Sequence, residues 1–122
     1  MRLFAISRCR DGFSLSVACL EQYRRLSKRR LEWRTERDPL DDFTCTFLYD
    51  LDLEDAVYPN HEVPRDDPAL IAAIESIGVR LAARTNQHEI KLVCVPDDAI
   101  EPFVPVAYDG FEHVAEKHRT WF

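Results

Sequence analysis

Phe43-Thr44-Cys45-Thr46-Phe47-Leu48-Tyr49 is the stretch on which the fold class turns. Phe43, Cys45, Phe47 and Tyr49 fall on one face and Thr44 and Thr46 on the other, the period-two pattern of a strand. One apolar and one polar face point to half-buried antiparallel sheet. The chain before it, from Arg24 to Arg37, carries Arg24, Arg25, Lys28, Arg29, Arg30, Arg34 and Arg37 against Glu32 and Glu36. Residues 29–42 therefore read as a loop or a frayed helix end. Around and after the strand the chain turns acidic: Asp38 to Asp67 holds ten acids and one base, Arg65. Both runs read as solvated surface, with a basic patch for an anion or a head-to-tail subunit contact as the alternatives.

Outward from that strand, residues 3–7 form a short apolar run suited to a first strand, broken by Asp11-Gly12. Ser16 is the preferred cap of a helix running to about Lys28, with Val17 and Leu20 in one row and Cys19, Tyr23 and Leu26 in another. A short extended piece is expected at Ala56-Val57-Tyr58. Asp67 caps a second helix with Pro68 in its first position, where the missing N–H costs nothing. Leu70, Ile71, Ile74, Ile77 and Leu81 give that helix a core-facing stripe, and Gly78 is a candidate break. Residues 89–95 are apolar on both faces, as in a central strand, and residues 103–108 return as an edge strand because of Pro105. Finally, Asp109 with Glu112 reads as a capping box. Phe111, Val114, Ala115 and His118 form one helical face, and Lys117, His118 and Arg119 lie in the last turn. The expected fold is α+β: one domain over residues 1–122, a small antiparallel sheet of about four strands, two main helices and a short C-terminal helix.

Length and composition suit one globular domain with its own core, and no stretch approaches the apolar length of a membrane helix. The N-terminus meets Ser7-Arg8 before it could become a signal-peptide core, so a soluble, intracellular protein is expected. Cys9, Cys19, Cys45 and Cys94 make no C-x-x-C, which reads as reduced, mostly buried thiols. A net charge of −6 argues against general nucleic-acid binding.

Catalytic chemistry finds no pattern here. His113 and His118 are five apart and cannot share a helical face as zinc ligands do. The sequence holds no nucleophile elbow, P-loop or G-x-G-x-x-G, and the pairs Asp41/Asp42, Asp66/Asp67 and Asp97/Asp98 read as caps and turns. No enzyme, metal or cofactor is expected. Arg119 beside Trp121 is more suggestive, since an arginine can fork onto phosphate while an indole stacks on a base. Arg65, alone among acids, is the other arginine whose placement stands out; an ion pair with Asp66 or Asp67 is its simpler explanation.

Several motifs together resemble small phage and prophage proteins: Arg8-Cys9-x-x-Gly12-Phe13-x-Leu15-Ser16, Pro64-Arg65-Asp66-Asp67-Pro68, Pro96-Asp97-Asp98, and Tyr108-Asp109-Gly110 followed by Glu116-Lys117-His118-Arg119-x-Trp121. Within that set the chain is most similar to the phage anti-Thoeris nucleotide sponges. The resemblance spans most of the chain except residues 29–58. Where most such proteins carry two glycines after the first cysteine, this chain has Asp11-Gly12. The resemblance implies a non-catalytic protein of the host bacterial cytoplasm that sequesters a cyclic nucleotide immune signal, a cyclic ADP-ribose isomer. It also implies a homo-oligomer, dimer or hexamer, with no membrane partner. On that view Arg119 and Arg65 engage phosphates, Trp121, Tyr108 and Phe103 stack the base, and His118, Phe13 and Arg8 complete the ligand site. The alternative is an anti-CRISPR-like protein inhibitor acting through the acidic surface.

Overall fold

Strands β1 (Arg2–Ser7) and β5 (Ile90–Val95) pair antiparallel through the middle of the molecule, with Ala5 opposite Leu92. In the computed structural model, which describes every residue except Met1, Asp38, Asp41, Asp42 and Lys117, this two-stranded ladder is covered on both faces. Alternation decides which side chain goes where. Ala5, Ile90 and Leu92 face the helices, while Phe4, Ile6, Val93 and Val95 face the C-terminal segment. The strand expected at residues 89–95 forms with apolar residues buried on both faces, but it is not central: β5 pairs with β1 alone, and Cys94 is exposed.

On the helical side lie α1 (Val17–Leu26), α2 (Pro68–Ile77) and a single turn, α3 (Val79–Ala82). Ser16 caps α1, its Oγ accepting the Cys19 N–H at 3.2 Å, and Cys19 and Tyr23 are buried. Asp67 caps α2, accepting the Ala69 and Leu70 N–H groups, with Pro68 in the first turn as its fixed φ suits. Leu70 and Ile74 carry the stripe into the core. Leu81 does not continue it and is exposed. Gly78, at φ +88°, ends α2 first and turns the next residues out of the row.

Residues 31–37, read from sequence as loop or frayed helix, are instead a full strand. β2 (Leu31–Arg37) pairs antiparallel with β3 (Thr44–Asp50), from Leu31 opposite Asp50 to Arg37 opposite Thr44, and β3 pairs with β4 (Asp55–Val57). The charges that argued against a strand lie on it in answered positions. Arg34 rests over the Tyr49 ring at 3.4 Å, Arg29 Nε donates to Asp50 at 2.7 Å, and Arg30 pairs with Asp52. The inward face of β3 is also the opposite of the apolar row: Leu48 and Asp50 are buried, while Phe43 and Cys45 are exposed. Asp50 is held charged there, its carboxyl lowered first by the Leu53 N–H and then by Arg29.

The C-terminal helix expected from Asp109 does not form. The chain makes a turn, then a hairpin of β6 (Val114–Ala115) and β7 (Thr120–Trp121). Long-range partners take up the groups a helix would have used. Glu112 N–H donates to the Ser7 carbonyl, and Phe103 and Ala115 exchange two backbone bonds at 2.9 and 2.8 Å. Gly110, at φ +83°, sits so close to the Arg10 carbonyl that an added Cβ would lie 2.3 Å from its oxygen. Asp109 accepts the Phe111 N–H rather than capping a helix. Residues 104–108 form no strand, and only Phe103 is bridged, to Ala115. The α+β class therefore stands, with three small antiparallel sheets in place of one. Cys9 and Cys19 are buried and Cys45 and Cys94 exposed, all four as free thiols, so burial holds for half of them. Burial pushes the Cys19 thiol up to about 11, which keeps it protonated. No helix among the described residues is long and apolar enough to cross a membrane. Asp41, Asp42 and Lys117, singled out from sequence, lie outside the described residues.

Candidate functional site

The arginines singled out from sequence are occupied by the protein's own carboxylates. Arg65 Nη1 and Nη2 fork onto Glu112 at 2.6 and 2.9 Å, and Phe13 lies beneath the guanidinium at 3.8 Å. Its ion-pair partner is thus Glu112, not Asp66 or Asp67. Asp66 pairs with Arg2 and Asp67 caps α2. Both side chains of the Arg65–Glu112 pair are largely buried, at 17% and 12% exposure. Glu112 also accepts the Ser7 N–H at 2.7 Å, while Arg8 donates to the Glu112 carbonyl and lies near the Phe111 and Phe122 rings. Arg8, Phe13 and Arg65 therefore meet around Glu112. The bound anion there is part of the chain. Phe103 and Arg65 share the wall of a cleft of about 370 Å³.

Arg119 is also claimed, hydrogen-bonded to Glu116 and, at 3.2 Å, to Asp98. Its hydrogen bond holds the Glu116 carboxyl below the usual range. Arg119 does lie over Trp121, at 5.0 Å, but Trp121 packs on the Val114 core. Tyr108 and His118 are exposed, and no contact joins either of them to Arg65 or Arg119 among the described residues.

A different site offers unclaimed cations. The segment after α3 is anchored at both ends: Ser16 N–H donates to Ala82, Ala83 bridges Leu15, and Arg84 N–H donates to Ser14 at 3.1 Å. Thr85 then closes a turn, its Oγ1 within 2.7 Å of His88 Nδ1 and accepting the Gln87 N–H. Arg84 and Thr85 thereby form a ridge between two adjoining clefts, of about 460 and 580 Å³. Trp33, Phe47, Tyr58 and Leu20 line the first, and Arg80, Asn86, His88 and Glu89 line the second. Neither Arg80 nor Arg84 has a side-chain hydrogen bond or ion pair among the described residues.

The aromatic wall is held in place. Trp33 Nε1 donates to Glu21 at 2.6 Å, and Tyr58 stacks on His61 at 5.7 Å. Hydrogen bonds from Arg24 and then Trp33 lower the Glu21 carboxyl to about 2, so it stays charged and keeps the indole oriented. An unpaired Arg84 beside fixed ring faces, with Arg80 in the adjoining cleft, can hold an anionic aromatic ligand, a cation on phosphate and a ring on a base. Among the described residues, no three His, Cys, Asp or Glu side chains converge as metal ligands.

Comparison with protein-family models, curated proteins and solved structures returned no match. Sequence reading passed over Arg80, Arg84, Trp33 and Tyr58. One signal was there: residues 79–88 hold two arginines and a histidine with no acid, in a chain where acids outnumber bases.

Proposed function

We propose that the protein is a phage-encoded anti-defence factor that captures a cyclic nucleotide immune signal, a cyclic ADP-ribose isomer, without cleaving it. Its place of action is the host bacterial cytoplasm. The cleft divided by Arg84 is the ligand site. The observation that carries this reading is Arg84, which has no ion pair among the described residues and lines the same cleft as Trp33, Phe47 and Tyr58, with Arg80 in the adjoining cleft. A phosphate on these arginines makes charge-assisted bonds that no internal partner must first release. A base stacked on one ring adds about 1–3 kcal/mol. Capture requires no nucleophile and no general base, and the sequence motifs shared with nucleotide sponges point the same way.

The inhibitor reading draws less support. Three of the ten acids of the run are answered within the chain, among the described residues: Asp50 by Arg29, Asp52 by Arg30 and Asp66 by Arg2. The test is a thermal-shift and mass panel of cyclic ADP-ribose isomers and cyclic di- and trinucleotides, followed by heating and analysis of the released ligand. Intact ligand, with binding lost in Arg84→Ala and kept in Arg119→Ala, is the expected result. A cleaved ligand would mean an enzyme. Silence across the panel would return the inhibitor reading to first place.

A further inference from the structure

The β2 edge of the three-stranded sheet carries a second, independent feature. β2 is seven residues long and pairs only with β3. Arg30 is opposite Leu51 in this register, and Leu51 N–H donates to the Arg30 carbonyl at 2.9 Å. Hydrogen-bonded pairs alternate in an antiparallel ladder, so Glu32, Arg34 and Glu36 face β3 with their backbone groups, while Leu31, Trp33 and Thr35 face outward. The close Oγ1 approach of Thr35 to Thr46, 3.1 Å, fits a non-hydrogen-bonded pair. No backbone partner is present for Leu31, Trp33 or Thr35 among the described residues.

Open edges are commonly guarded by charged side chains, proline, bulges or short strands. This one has no proline or bulge over residues 31–37; its guards are charges that alternate in sign, Arg30, Glu32, Arg34 and Glu36. Arg34 pairs with Glu32 and Arg30 with Asp52 in the single chain, so a partner strand would share these groups rather than meet free ones. Such a row can be its own complement. When two copies meet antiparallel about a twofold at Trp33, outward backbone groups face outward backbone groups. Arg30 then lies opposite Glu36 of the second copy, and Glu32 opposite its Arg34, on both sides of the axis. A centre at Arg34 sets Glu32 against Glu36 and Arg34 against itself. A centre at Thr35 keeps only the Arg34–Glu36 pairs within the strand. Opposed like charges across strands destabilise, so the charges select one register.

We infer that β2 is a homodimerisation edge, pairing with β2 of a second copy about Trp33 to make one continuous six-stranded sheet. The exposed charges are the specificity device, and the backbone groups of Leu31 and Thr35 supply the ladder.

The experiment is sedimentation equilibrium of the full chain over a wide concentration range, with far-UV circular dichroism to confirm folding. The wild type is expected to dimerise. Glu32→Arg and Arg34→Glu each oppose like charges across the axis and should weaken association tenfold or more. The Glu32→Arg/Arg34→Glu double variant restores opposite pairs and should regain it. Thr35→Pro removes an outward N–H that β3 does not use, and should give a folded monomer. A wild type that stays monomeric throughout, or a dimer indifferent to Thr35→Pro and to both single reversals, would overturn the inference.

Discussion

The C-terminal segment and the Arg84 ridge are built from the same residue types and reach opposite outcomes. Around Glu112, arginine and aromatic side chains converge on a carboxylate that the chain itself delivers. Around Arg84, the guanidinium meets an aromatic wall and, among the described residues, no carboxylate pairs with it, although Glu89 lines the adjoining cleft. An arginine next to rings is thus a ligand site only if no internal acid reaches it first. The first region spends its cations on tying β1 to the chain's last residues; the second keeps them available.

Removing the internal anion should break the contrast most severely. Glu112→Ala leaves Arg65 buried without its partner and the Ser7 N–H without its acceptor, and a loss of about 3 kcal/mol is expected in chemical denaturation. An undiminished midpoint would mean that the clasp contributes nothing. Gly110→Ala should be comparably damaging, because its Cβ would meet the Arg10 carbonyl at a position of positive φ. Proteolysis within residues 104–122 would report the released segment.

At the other region the effect should fall on binding and spare folding. Arg84→Ala removes a charge-assisted contact of about 1.5–3 kcal/mol and should weaken nucleotide binding tenfold or more at unchanged melting temperature, read by calorimetry. A melting temperature that drops as far as for Glu112→Ala would make Arg84 structural too.

Acid should then act on the wall. Glu21 is depressed from 4.5 to about 2 by Arg24 and Trp33. Its contribution is complete above the unfolded value and is lost as pH falls from about 4.5 toward 2. Glu21→Gln should flatten the loss of stability across that window. The smallest change in binding is expected from Arg119→Ala, since Arg119 lines neither cleft. Its Asp98 pair is screened by solvent, but Glu116, 8% exposed, loses its cation, so melting temperature should fall modestly.

What could be read from the sequence was local. Ser16 and Asp67 cap their helices because the acceptor and the N–H groups it satisfies lie two or three residues apart, and the apolar row of α2 buries as its period requires. The α+β class follows from such elements. The reading failed wherever a distant partner outbid a near one. Asp109 and Glu112 satisfy the spacing of a capping box, yet Arg65, 47 residues away, takes the Glu112 carboxylate, and Ser7 takes its backbone N–H. The charged segment 31–37 had no reason to extend until β3 lay beside it, its Arg34 over Tyr49 and its outer groups left open. Which arginines are free is likewise a property of the folded chain, since charge pairs are matched by proximity in space. The caps and period of α1 and α2 were determined by sequence alone. The partner of each cation, and so the location of the site, was decided by tertiary structure.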